Sequence, residues 1–351
     1  MEIDLPEWPV LFGEGEETRR FQVVRKRGVP LLFLPDSAKL AARTLELYPA
    51  QTSVARFARA ILRCALRCGL RSPHGILKLP WARDAALPRW ICEKFGANAQ
   101  VGMLLGNPKA TGRRWILIVF DEANLPLAVV KAGVSLRAME LIRAEGNCIQ
   151  NLPDELLGKP ELLGRLDDNI AALAIAYAPG KTPSSDTIPD QIGPVLSSWI
   201  DTTTQFQLSD IPAWHRLSAV APATLVNRIA NLRVFKTTMH GDFAPWNIRE
   251  HRGRWTVLDW ERGETIGVPA WDWFHYVIQS AALVDRASTE VIEETVNALI
   301  RTPAFVSYAA LSGITGFERD LLRAYLMYCT RVLRVSEGSD RLTDLLEMLS
   351  E

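Results

Sequence analysis

Eight consecutive residues, His240-Gly241-Asp242-Phe243-Ala244-Pro245-Trp246-Asn247, followed by Asp259 twelve residues after Asn247, constrain this chain more than anything else in it. A carboxylate and an amide five residues apart lie on one short loop, where the first can orient an acceptor hydroxyl and the second can hold Mg²⁺. Asp259, in Val257-Leu258-Asp259-Trp260-Glu261, adds a second hard oxygen ligand. Between them the pattern predicts two short strands, 248–250 and 255–258, joined by His251-Arg252-Gly253-Arg254, a turn suited to a hairpin. Such a hairpin brings Asn247 and Asp259 side by side. Together these residues point to phosphoryl transfer, a reaction catalysed mainly by positioning and charge stabilisation.

Upstream, Lys131 ends the apolar run Leu127-Ala128-Val129-Val130, a place from which a cation can meet the α/β-phosphates of a nucleotide. A buried lysine requires a partner carboxylate. The helix expected next carries two candidates, Glu140 and Glu145. Strands are expected at 100–105, 115–120, 127–131 and 171–177. The stretch 106–114 is the candidate phosphate-covering loop, with Lys109 or Thr111 near phosphate, although its glycines do not form GxGxxG. No Walker-type P-loop sequence is present. After Pro179 the apolar spacing becomes helical, with helices expected over 191–202, 223–232, 273–284, 288–300 and 318–335.

At His240 to Asn247 and at Leu258-Asp259-Trp260-Glu261 the sequence resembles the aminoglycoside phosphotransferase and choline kinase group of small-molecule kinases, over roughly residues 97 to 351. The resemblance implies an α+β, two-lobed protein-kinase-like fold. Its parts would be a β-rich N-lobe over 97–178 and a mainly helical C-lobe over 179–351, preceded by an additional N-terminal α+β segment over 1–96. It implies that Asp242 is the catalytic base, that Asn247 and Asp259 bind Mg²⁺, and that Glu145 partners Lys131. It also implies that the backbone near Ala178, after the 171–177 strand, meets the base of the nucleotide. His240 then braces the loop, Glu261 fixes neighbouring backbone, and Asp272 ties the following segment to the catalytic loop. The expected donor is ATP or GTP, and the expected acceptor is a hydroxyl of a small molecule of aminoglycoside, sugar or amino alcohol type. Two rival readings are a pseudokinase-like binding module and a kinase acting on a lipid-linked or polymeric saccharide.

Composition narrows the class. The chain has 351 residues, 48% of them hydrophobic and 23% charged, enough for a large core in a globular protein. No apolar run spans a bilayer and the N-terminus lacks the pattern of a signal peptide, so a cytoplasmic location is expected. The five cysteines form no CxxC pair and read as reduced, mostly buried thiols. Net charge is zero, with the acidic excess in the second half and the basic excess in the first. Five of the eleven tryptophans fall between Trp246 and Trp273, which reads as packing around the loop. No aromatic-basic stripe points to nucleic acid.

In the N-terminal segment a hairpin is expected around Arg25-Lys26-Arg27-Gly28. Two helices should follow it, one starting near Asp36 or Ser37 and the other running from Ser53 to Gly69. The second places Val54, Phe57, Ile61 and Ala65 on one stripe and Arg56, Arg59, Arg63 and Arg67 on another. That basic stripe is either a solvated or acid-contacting face or a peripheral docking surface for an anionic membrane or a polyanionic substrate.

Overall fold

The structure is a computed structural model and describes residues 5–48, 53–72, 74–106, 112–183, 188–334 and 339–348. The expected phosphate-covering residues Lys109 and Thr111 lie outside the described residues. The chain forms two compact units, Met1–Asn147 with Pro160–Ala178, and Cys148–Lys159 with Pro179–Glu351.

The first unit is built on an antiparallel sheet, eight-stranded among the described residues. Its strands are β1 (Thr18–Lys26), β2 (Val29–Pro35), β3 (Ile76–Pro80), β4 (Gln100–Leu105), β5 (Trp115–Phe120), β6 (Pro126–Gly133), β7 (Leu162–Asp167) and β8 (Ala171–Ala176), in the order β3-β1-β2-β4-β5-β6-β8-β7. Strict alternation buries both faces. Phe21, Val23, Phe33, Val101, Met103, Leu105, Trp115, Leu117 and Val119 face one core, with Trp8 and Phe12 of α1 (Trp8–Phe12) and Leu87 and Ile91 of α4 (Ala86–Phe95). Their neighbours Leu32, Leu34 and Leu104 face a second core with Ala41 and Ala42 of α2 (Ala38–Thr44) and Leu66 of α3 (Ser53–Arg67). The β1–β2 turn is made by Arg27 and Gly28, both at positive φ, as a tight hairpin of this twist requires. At Gly102 a Cβ would stand 1.9 Å from the Thr44 hydroxyl, so only glycine lets α2 lie this close to β4.

The segment before residue 96 does not stand apart from the strands after it. β2 pairs with β4 at Leu32 with Leu104 and Phe33 with Met103, so β1 to β3 extend the same sheet. The expected helices at Ser37 and Ser53 are present, and Gly69 sits at φ +83° just beyond the second. The apolar stripe of α3 differs from a core face. Val54, Phe57 and Ile61 are 80%, 68% and 55% exposed, whereas Leu62 and Leu66 pack inward. Cys64 and Cys68 are exposed too, so buried packing does not account for them; Cys148 and Cys329 are buried.

The second unit is mainly helical: α6 (Ile188–Ser197), α7 (Pro212–Ser218), α8 (Ala223–Ile229), α9 (Trp271–Gln279), α10 (Thr289–Ile300), α11 (Pro303–Ser312), α12 (Glu318–Met327) and α13 (Ser339–Met348). Single π-helical turns, Ser280–Asp285 and Tyr328–Leu333, continue α9 and α12. A small sheet of β9 (Ile200–Gln207), β10 (Arg233–Met239) and β13 (Glu264–Gly267), in the order β13-β10-β9, was not expected; helix was expected through residue 202. The β-branched residues Ile200 and Thr202 to Thr204 explain the strand. The hairpin of β11 (Ile248–His251) and β12 (Arg254–Val257) is as expected, its turn made by Arg252 and Gly253 at positive φ. Trp260, Trp271 and Trp273 are buried and Trp246 and Trp255 half-buried. No helix among the described residues is long and apolar enough to cross a membrane.

Candidate active site

β10 delivers the chain into the loop 240–247, and its first residues are held from behind by one carboxylate. Asp272, in the first turn of α9, accepts the His240 amide at 2.6 Å on Oδ2 and the Gly241 amide at 2.9 Å on Oδ1. Burial pushes the Asp272 pKa up, while the two amides and the nearby imidazole oppose the shift. Gly241 lies at φ +75°, where a Cβ would meet the Arg262 carbonyl oxygen at 2.8 Å. The glycine is therefore a steric and a conformational requirement of the turn.

His240 is fully buried and braces the loop, as expected. Its Nδ1 accepts the Asp242 amide at 3.2 Å, so the proton sits on Nε2, which donates to the Leu258 carbonyl at 2.9 Å. Burial holds its pKa below the ordinary histidine value, in keeping with this neutral form.

Asp242 keeps an outlet to solvent, its side chain 28% exposed. Oδ1 lies 3.1 Å from His275 Nε2 and 3.8 Å from Arg262 Nη1, and Oδ2 accepts from Asn247 Nδ2 at 2.9 Å. Burial works to raise its pKa, but His275 and then Arg262 outweigh it and hold the carboxyl below the usual range, ionised at neutral pH.

Asn247 is buried and also donates Nδ2 to the Asp242 carbonyl at 2.9 Å. With the nitrogen committed twice, the amide oxygen is the end of the side chain that would meet a metal. The Asn247 carbonyl accepts the Leu258 amide at 2.7 Å, so Asn247 and Asp259 stand at adjacent ends of the β11–β12 hairpin, as expected. Asp259 has left-handed backbone, φ 70° and ψ 56°, which Asp tolerates better than most residues and which costs on the order of 1 kcal/mol. One neutral and one anionic hard oxygen suit Mg²⁺ and leave places for other oxygen ligands. Glu261 follows in a 3-10 turn, Trp260–Arg262.

In the first unit Lys131 and Glu145 form a buried ion pair, Nζ at 2.7 Å from both Oε1 and Oε2. Glu145 is wholly buried, sharing a stripe of α5 (Leu136–Asn151) with Ala138, Ile142 and Ile149. Glu140 points elsewhere, bonding exposed Arg137 at 3.0 Å. Ala178 follows β8 as the last residue of this unit.

No family model matches the chain, and no curated protein does. Among solved structures it is similar to a thermostable mutant of aminoglycoside phosphotransferase APH(4)-Ia in a ternary complex with ADP and hygromycin B, at 14% identity over 74% of this chain and 96% of that one, TM-score 0.47. It is also similar to macrolide 2'-phosphotransferase MphH from Brachybacterium faecium, at 14% identity over 74% and 96%, TM-score 0.42. A third is the streptomycin-ATP complex of APH(2")-IIa, at 11% identity over 76% and 98%, TM-score 0.43.

Sequence reasoning missed His275, Arg262 and Tyr325. His275 is 4% exposed and its Nδ1 lies 3.0 Å from the Tyr325 hydroxyl. Burial disfavours its charge, but the Asp242 carboxylate and the Cys329 sulfur push its pKa up to about 9. A signal was available in Trp271-Asp272-Trp273-Phe274-His275. Residues three apart on a helix share a face, so a histidine three after the loop-anchoring Asp272 also meets the loop.

Proposed function

We propose that this protein is a Mg²⁺-dependent small-molecule kinase that transfers the γ-phosphoryl group of ATP or GTP to a hydroxyl. The observation that carries the reading is Asp242, ionised, braced on both oxygens and still open to solvent, and hydrogen-bonded to Asn247 through the amide nitrogen. The motif and the phosphotransferases among similar solved structures agree with it.

In this reading Asp242 orients the acceptor hydroxyl and takes its proton as the oxygen bonds to the γ-phosphorus and the bond to the bridging β–γ oxygen breaks. Asn247 and Asp259 would hold Mg²⁺, whose role there is to neutralise charge on the phosphate oxygens. Lys131, oriented by Glu145, would contact the α/β-phosphates, and the backbone near Ala178 the base. His275 keeps Asp242 ionised and in place.

The test is transfer of labelled phosphate from ATP and GTP to a panel of aminoglycosides, macrolides, amino sugars and amino alcohols. Asp242→Ala should lower turnover by ~10²–10⁴-fold. A variant retaining near-wild-type turnover contradicts the assignment of Asp242.

A further inference from the structure

Helix α3 presents three different faces. Leu62 and Leu66 pack inward against the second core. Phe57, Ile61, Cys64 and Cys68, spaced four, three and four residues apart, form one outward row, and Val54 and Leu70 lengthen the exposed apolar surface. Arg56, Arg63 and Arg67 form a second, also exposed. Arg59 and Lys26 both close on Tyr48, Arg59 through its carbonyl at 2.8 Å and Lys26 over its ring at 5.9 Å. The basic surface thus runs from α3 to the β1–β2 hairpin tip, where Lys26 and Arg27 are exposed.

No acidic residue occurs from 47 through 83, a stretch that contains six arginines and one lysine. A second copy laid on this face would bring like charges together, whereas an anionic lipid surface complements both rows. We infer that α3 is a docking face for an anionic membrane. The Phe57 and Ile61 row enters the headgroup boundary, and Arg63 and Arg67 meet lipid phosphates. Attachment by one short helix is reversible and salt-sensitive.

Cosedimentation of the full chain with phosphatidylcholine vesicles, and with equal mixtures of phosphatidylcholine and phosphatidylglycerol, tests this. The expected result is binding to the mixed vesicles alone, lost at high salt. Arg63→Glu with Arg67→Glu should weaken partitioning about fivefold or more for each arginine reversed. Phe57→Ser with Ile61→Ser should weaken it while leaving the melting curve unchanged. Binding by either double variant equal to wild type, or equal binding to neutral vesicles, overturns the proposal. So does light scattering in which Phe57→Ser with Ile61→Ser converts a self-associated protein to a monomer, which would make a second copy the occupant.

Discussion

His275 Nε2, buried in the second unit, stands 3.1 Å from Asp242 Oδ1, and the two hold each other in the charged state. A buried imidazolium beside a carboxylate is an unusual support for a proton acceptor. It weakens the base somewhat but prevents burial from neutralising it before substrate arrives.

Stability should therefore depend on pH through this pair. The folded His275 pKa, about 9, lies above the ordinary 6.5, so its stabilisation is full below 6.5 and is lost as pH rises through 9. Asp242 has the opposite sign: its depressed pKa contributes above the ordinary Asp range and is lost as pH falls through the folded value. Relative to His275→Gln, the wild type should lose up to about 3 kcal/mol across the alkaline window in chemical denaturation. A stability difference that does not vary with pH would argue against a charged His275.

Asp272→Ala leaves the His240 and Gly241 amides without their acceptor. Each buried amide so orphaned costs roughly 1–3 kcal/mol. The melting temperature should fall clearly, with Asp272→Asn intermediate because one amide oxygen remains to accept. A melt identical to wild type would show that the loop is anchored elsewhere.

Lys131→Ala strands a buried Glu145 carboxylate and should cost about 3–5 kcal/mol in denaturant unfolding. Glu140→Ala, on an exposed pair, should stay within about 0.5 kcal/mol. Lys131→Met with Glu145→Leu should recover most of the stability, as apolar replacements of buried ion pairs often do, without recovering phosphoryl transfer. Recovery of both would remove Lys131 from the proposed phosphate contacts.

Much of this was legible in the residues because their spacing is local. The β11–β12 hairpin, its Arg252-Gly253 turn and the helix starts at Ser37 and Ser53 each depend on a few neighbouring side chains. Glu145 was legible only as one of two candidates, since the choice turns on which face of α5 packs inward. β9 was hidden because residues 191–207 mix helical apolar spacing with a β-branched run, and its pairing with β10 depends on residues some thirty positions away. The outward apolar row of α3 was unreadable as such. Periodicity finds stripes, but which stripe meets the core is decided by α2 and β4.

Thermal unfolding with ATP or GTP, each with and without Mg²⁺, tests the central claim most directly because it needs no knowledge of the acceptor. Nucleotide at ~100 times its dissociation constant should stabilise the fold by about 2.7 kcal/mol. That rise should require Mg²⁺ and should weaken in Asp259→Ala. No shift with either nucleotide, or a shift indifferent to Mg²⁺ and to Asp259, would contradict a metal-nucleotide site built on Asn247 and Asp259.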